Sequence, residues 1–285
     1  MAWTLTRNLD LFAGTAGELL RAEPVRHTLP LTLLATLHAS GPSTFGDDPP
    51  RYGWHGSADG LLDGVVMQTP PFPVLVAALP AGSAPDLIRL LGEDGGLPAA
   101  ANVSSTDEAA FSAAWAEATG GSTTVAQRQR LFRLGRLVPP DPAPPGAARI
   151  ADTGDRELLI EWTEAFDREA HSVARHNTGW AVDDRISHAG LTLWEASGQP
   201  VAMAGSTRDV AGVVRVAGVY TVPAHRQRGY GGAVTAAVTR DALDAGASAV
   251  VLFTDLANPT SNALYQRLGY RPVGDRVLLD LHQPG

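Results

Sequence analysis

Val222-Pro223-Ala224-His225-Arg226-Gln227-Arg228-Gly229-Tyr230-Gly231-Gly232 is the stretch on which the fold turns. It follows the long apolar run 213–222, which reads as a strand, and opens the segment 230–245, which has helical spacing. Pro223 lacks an N–H and ends strand pairing. Gly229, Gly231 and Gly232 carry no Cβ, so the backbone turns tightly and lets a ligand come close. The first amides of a helix have no partners within it, and the helix dipole makes that point favourable for anions. Arg226 and Arg228 add positive charge.

Three readings compete for this stretch. It is a glycine-rich turn with no ligand, a dinucleotide fingerprint, or a coenzyme A loop. The dinucleotide reading needs G-x-G-x-x-G directly after the first strand of a βαβ unit. Here the third glycine is missing and four residues separate Val222 from Gln227.

Outward from the loop, the second half reads in order. Residues 155–170 form a helix with Leu158, Leu159, Trp162 and Phe166 on one face, and 181–188 a short helix. Residues 191–195 and 200–205 are strands around the turn at Ser197-Gly198-Gln199. Residues 249–254 make a buried strand of continuous apolar type, 258–268 a helix and 276–281 a last strand. The order is ααβββαβαβ. The first half is read as helices at 9–20 and 29–39, strands at 64–67 and 74–79, a helix at 85–91, a strand at 100–103, a helix at 106–119 and a strand at 130–138. Its tail, ββαβαβ, matches the tail of the second half, which predicts an internal duplication. Five prolines between Val138 and Gly146 predict an extended connector. The expected division is therefore 1–138, a proline-rich linker at 139–146, and 147–285.

The segment Arg226-x-x-Gly229-x-Gly231 resembles the pyrophosphate signature of the GNAT superfamily of N-acetyltransferases, (Gln/Arg)-x-x-Gly-x-(Gly/Ala). Tyr220-Thr221-Val222-Pro223 looks like the end of that family's central strand. Residues 258–273, from Asn258-Pro259-Thr260 through Tyr265 and Gly269-Tyr270 to Val273, are similar to its other diagnostic segment. The resemblance implies an α/β (α+β) fold, two tandem GNAT-like domains each with a mixed central sheet flanked by helices. It implies that pantetheine lies along Val219, Tyr220, Thr221 and Val222 in the gap between two splayed parallel strands. Gly229, Tyr230, Gly231 and Gly232, helped by Arg226, Gln227 and Arg228, would take the pyrophosphate. The implied activity is acetyl transfer from acetyl-CoA to a primary amine of a small molecule or peptide by direct attack. Tyr265 matches the tyrosine that protonates the departing thiolate. A non-catalytic acyl-CoA-binding or sensing protein is the alternative.

The residues around Tyr265 support a defined helix. Asn258 is a natural N-cap, Pro259 suits the first helical position and Gly269 the left-handed position after the end. Ser261, Asn262 and Tyr265 lie on one side at helical spacing, and Asn258, Ser261 and Asn262 are expected beside the coenzyme. No general base stands out; Glu169, His171, Asp183, Asp184, Glu195 and Asp255 are candidates by position, with Glu169 and His171 near the acceptor. The first half lacks both motifs, having only Pro80-Ala81-Gly82-Ser83-Ala84 at the matching place. It reads as a degenerate copy that shapes the acceptor pocket and covers sheet in the second half, with Asp47, Asp48, Trp54 and His55 as candidate pocket residues.

Composition narrows the rest. The formal net charge of −8 argues against nucleic acid or an anionic membrane as partner. The absence of cysteine excludes disulfides and thiolate catalysis. All 22 basic residues are arginine, which excludes Schiff-base chemistry and a Walker-type phosphate lysine. His171 and His176 are five apart and no His-Glu-x-x-His motif occurs, so no metal is expected. No apolar run reaches the length of a membrane span, and the chain is expected to be cytoplasmic, as monomer or homodimer.

Overall fold

The computed structural model describes residues 2–57, 60–170 and 177–284. The first half runs β1 (Ala2–Thr6), α1 (Leu9–Ala22), α2 (Thr28–Ser40), β2 (Arg51–Gly56), β3 (Leu62–Gln68), β4 (Val74–Ala78), α3 (Ala84–Glu93), β5 (Ala100–Ser104), α4 (Glu108–Thr119) and β6 (Ser122–Leu134). The second runs β7 (Ala147–Ile150), α5 (Arg156–Glu169), α6 (Thr178–Ser187), β8 (Leu191–Ala196), β9 (Gln199–Ser206), β10 (Val213–Thr221), α7 (Tyr230–Asp244), β11 (Ala249–Asp255), α8 (Pro259–Arg267) and β12 (Tyr270–His282). Both halves therefore spell βααβββαβαβ. The repeat is longer than the sequence pattern reveals, because β1, β2 and β7 are short or glycine-bearing strands with no clear alternation.

Two compact units result, and their boundaries differ from the expected ones. The first holds Met1–Arg130, Asp255–Ala257 and Gly274–Gly285; the second holds Leu131–Thr254 and Asn258–Val273. The division falls inside β6 and inside β12 rather than in the proline stretch. The prolines belong to the second unit, where the Trp194 indole N–H donates to the Pro145 carbonyl at 3.0 Å. They are a packed strap and not a free spacer.

In the first unit β1, β2, β3 and β4 pair antiparallel in sequence, β4 pairs parallel with β5, and β5 pairs antiparallel with the end of β12. Trp3, Leu87, Ile88, Phe111, Trp115 and Leu279 lie in its main core. In the second unit β7, β8, β9 and β10 form an antiparallel run, and β10 pairs parallel with β11. One apolar cluster joins Val214, Val216, Val234, Leu252 and Tyr270 on the α7 side. A second joins Leu159, Trp162, Val182, Leu193, Met203 and Tyr220 on the α5/α6 side. Small residues on α7 (Gly232, Ala233, Ala236) let it sit close to the strands. Arg149 of β7 fixes the start of α5 by a two-pronged bond to Asp155 at 2.6 and 2.8 Å, and reaches Glu195 of β8 at 2.7 Å. Its guanidinium holds the Asp155 carboxyl below the usual carboxylate range.

The end of α8 gives a direct stability test. Gly269 has φ +98, and a Cβ there would run into the carbonyl oxygen of Arg136. Gly269→Ala combines left-handed strain with a backbone clash. It is expected to destabilise the protein by more than about 3 kcal/mol, read as a shift of the urea midpoint at unchanged slope.

Candidate acetyl-coenzyme A site

The parallel ladder of β10 and β11 pairs Val213–Val216 with Ala249–Leu252 and goes no further, although β10 continues to Thr221 and β11 to Asp255. On its other edge β10 stays paired, Tyr220 with Met203 and Thr221 with Ala202 of β9, after a register shift at Ala217–Tyr220. The strands thus part after Val216, as the sequence resemblance implies, and β10 presents an unladdered edge over Ala217–Thr221. Val219 packs on the α7-side core, while Val222 packs on the α5-side core and donates its amide to Val201.

The turn beyond has the shape the glycines suggest. Gly229 is left-handed at φ 85, and α7 starts at the next residue. Gln227 is also left-handed at φ 62, an uncommon state for a side-chain-bearing residue. The amides of Tyr230, Gly231 and Gly232 open the helix without partners inside it. A Cβ on Gly231 would stand 3.3 Å from the Thr221 hydroxyl, and one on Gly232 3.0 Å from Leu264 and 3.5 Å from Pro140. Arg228 is exposed. Arg226 is engaged: Glu169 takes one guanidinium nitrogen with both oxygens at 2.7 and 2.8 Å, Thr221 accepts from Nε at 2.9 Å, and the charge sits 5.6 Å above the Tyr220 ring. The sequence reading placed Arg226 on the pyrophosphate and did not anticipate that a carboxylate holds it. His225 was also missed, although it lies in the decisive stretch. Its Nδ1 is buried with no hydrogen-bond partner among the described residues, and its ring packs edge-on to Tyr230 at 6.3 Å. The backbone cradle and this orphaned nitrogen fit a diphosphate.

Tyr265 lies on α8 in the α7-side core, 8% exposed, with its ring edge-on to Tyr270 at 6.2 Å. Burial pushes its phenol up to about 12. Tyr270 is tied down by a 2.6 Å bond to Thr239, whereas the Tyr265 hydroxyl has no hydrogen-bond partner among the described residues. The caps of α8 form as expected: Asn258 accepts from the Ser261 amide at 3.0 Å. Asn262 donates back to the Asn258 carbonyl at 2.7 Å. The Asn258 and Asn262 side chains thus bond within the first turn of the helix.

Of the candidate bases, Glu169 pairs with Arg226, Asp183 with Arg156, Asp184 with Arg208 and Glu195 with Arg149, while Asp255 accepts from Gln127 and Ala257. His171 and His176 lie outside the described residues. His55 is buried in the first unit against Asp63 at 2.6 Å.

The matching place in the first unit is filled. There β4 and β5 are paired at Val74–Ala101 and Leu75–Asn102. The Arg276 guanidinium lies beyond this pairing, donating to the Val76 and Asn102 carbonyls at 2.8 Å each and to the Asn102 side chain. Burial pulls its pKa down to about 10. Backbone acceptors that a bound amide would need are thus already taken.

Residues 156–270 match the acetyltransferase (GNAT) family. The whole chain is similar to two solved structures. One is a GCN5-related N-acetyltransferase from Sphaerobacter thermophilus (TM-score 0.66, 17% identity, 99% of this chain and 96% of that one). The other is a GNAT-family acetyltransferase from Colwellia psychrerythraea (0.61, 12%, all of both chains). A GCN5-related N-acetyltransferase from Kribbella flavida matches 79% of this chain and 89% of its own, at 23% identity and TM-score 0.54. No curated protein sequence matches. Among the described residues, no helix is long and apolar enough to cross a membrane.

Proposed function

We propose that the second unit transfers an acetyl group from acetyl-CoA to a primary amine. The observation that carries this reading is the parting of β10 from β11 after Val216, directly before a helix-opening turn of glycines. A pantetheine arm adds to the open edge of β10 as a further strand would. The turn amides and His225 hold the diphosphate. The bound coenzyme supplies an activated thioester. The amine nitrogen attacks the thioester carbonyl, the carbon–sulfur bond breaks, and the amine proton leaves to solvent. Tyr265 hands its proton to the departing sulfur and is reprotonated from water. Its unpartnered hydroxyl favours transfer over a merely sensing protein, since a phenol with no structural bond is free for that proton. Calorimetry with coenzyme A and thiol release from acetyl-CoA over an amine panel test the reading. Failure to bind coenzyme A removes it.

Glu169 competes with phosphate for Arg226. The pair is about half exposed on both sides, so its own worth is under about 1 kcal/mol. Glu169→Gln is expected to tighten coenzyme A binding by about two- to five-fold at low salt, with the gain shrinking as salt rises. Weaker binding in that variant would mean that Glu169 positions Arg226 for the phosphate rather than competing for it.

A further inference from the structure

A cationic groove lies on the outer face of α8, in a chain whose formal net charge is −8. It encloses about 580 Å³ and is lined by Ala263, Gln266, Arg267, Arg271 and Pro272, with no carboxylate among them. All five residues are exposed. Arg267 makes no hydrogen bond or ion pair among the described residues. Arg271 uses Nη1 alone, donating to the Gln266 and Tyr270 carbonyls at 3.2 and 3.0 Å. It closes the end of α8 in this way and keeps Nε and Nη2 unused. A further exposed arginine, Arg136, adjoins the groove. Its carbonyl lies against Gly269, and a Cβ on the preceding Gly135 would stand 3.9 Å from the Arg271 Cγ. It too has no ion-pair partner among the described residues.

The helix that carries this groove also touches the glycine turn. Ala263 and Arg267 are one helical turn apart and share a face. Leu264, beside Ala263, brings Cδ1 to 3.0 Å from where a Cβ on Gly232 would stand. Long helical side chains lean back toward the helix N-terminus, so Arg267 covers the turn that holds Ala263 and Leu264. Coenzyme A carries three phosphate groups, and the turn accounts for two of them. Its diphosphate joins the pantetheine arm on one side to a ribose on the other. With pantetheine on the open edge of β10, the ribose and its phosphate monoester leave the turn on the side away from that edge. The cation nearest the turn is already engaged, since Glu169 holds Arg226. A phosphate monoester carries a charge of roughly −1.5 to −2 at neutral pH and three acceptor oxygens. Guanidinium forks without a carboxylate of their own suit such a group. The dipole at the end of α8 opposes an anion there, but Arg271 covers the last carbonyls.

We propose that Arg267 and Arg271 hold the ribose 3′-phosphate of coenzyme A and so select coenzyme A over its 3′-dephospho form; this rests on the transferase reading above. The test is calorimetry of the full chain with coenzyme A and with dephospho-coenzyme A. The wild-type protein is expected to bind coenzyme A at least about ten-fold more tightly at low salt, with the preference shrinking as salt rises. Arg267→Gln is expected to weaken coenzyme A by at least about five-fold and to leave dephospho-coenzyme A within about two-fold of wild type. Arg267→Lys, which keeps the charge and loses the fork, is expected to fall between. In Arg267→Gln/Arg271→Gln the preference is expected to drop below about two-fold. Should that double variant fail to fold, because Arg271 also closes α8, Arg267→Gln alone decides. A wild-type preference under about two-fold, a preference unchanged in Arg267→Gln, or an equal loss of both coenzyme forms in that variant overturns the proposal. A wild-type protein that binds neither form would instead overturn the transferase reading, so the two failures are told apart.

Discussion

Gly229→Asp is expected to weaken coenzyme A binding by at least about a hundred-fold. A carboxylate about 5 Å from a diphosphate costs roughly 2 kcal/mol per phosphate charge at an effective dielectric near 30. Binding set by one tight turn has no other route round that repulsion. The variant also places a side chain at φ +85, so backbone strain has to be separated from charge. Gly229→Asn does this, because asparagine has the same size and tolerates the left-handed region. The new Cβ meets only Pro144 carbons at 3.7 Å and beyond, an ordinary contact in both variants. Calorimetry is expected to show a modest loss for Asn and a near-complete loss for Asp. Equal binding by the two would mean that no anion sits at this turn.

Tyr265→Phe is expected to lower kcat by about 10²- to 10⁴-fold, the usual worth of a general acid, with coenzyme A affinity within two-fold of wild type. The change removes one hydroxyl that bonds to nothing among the described residues, so folding stability is expected to stay within about 0.5 kcal/mol. The pH profile separates the acid role from packing. Because burial raises the phenol to about 12, it stays protonated through the neutral and mildly alkaline range. The alkaline loss of kcat that belongs to Tyr265 is expected near 12 rather than near the ordinary ~10, and to vanish in the phenylalanine variant. Undiminished turnover in that variant would remove Tyr265 from the chemistry.

What the sequence made legible follows the range of the interactions involved. The phosphate turn and the caps of α8 are local chemistry: Asn258, Pro259 and Gly269 act on backbone within a few residues, and each sits where its type demands. Strands β1, β2 and β7 escaped because their signal is distant. Gly53 of β2 is selected by crowding from Leu5 and Thr4 of β1 and Val66 of β3, which no window around Gly53 contains. The unit boundaries escaped for the same reason, since prolines suggest a linker while the packing of Trp194 on Pro145 makes them part of a fold. The site divides likewise. Its loop was readable, but the grip of Glu169 on Arg226 joins residues 57 apart.

The route of the last strand has a consequence for the molecule as an object. β12 starts at Tyr270 in the second unit and ends as the neighbour of β5 in the first. A cut at the prolines therefore would not yield two self-sufficient pieces. The amino-terminal fragment would lack the end of β12, leave the outer edge of β5 bare, and lose Arg276 from the gap it fills. The chain passes from one unit to the other within β6 and again within β12, so neither unit is a single continuous stretch of sequence.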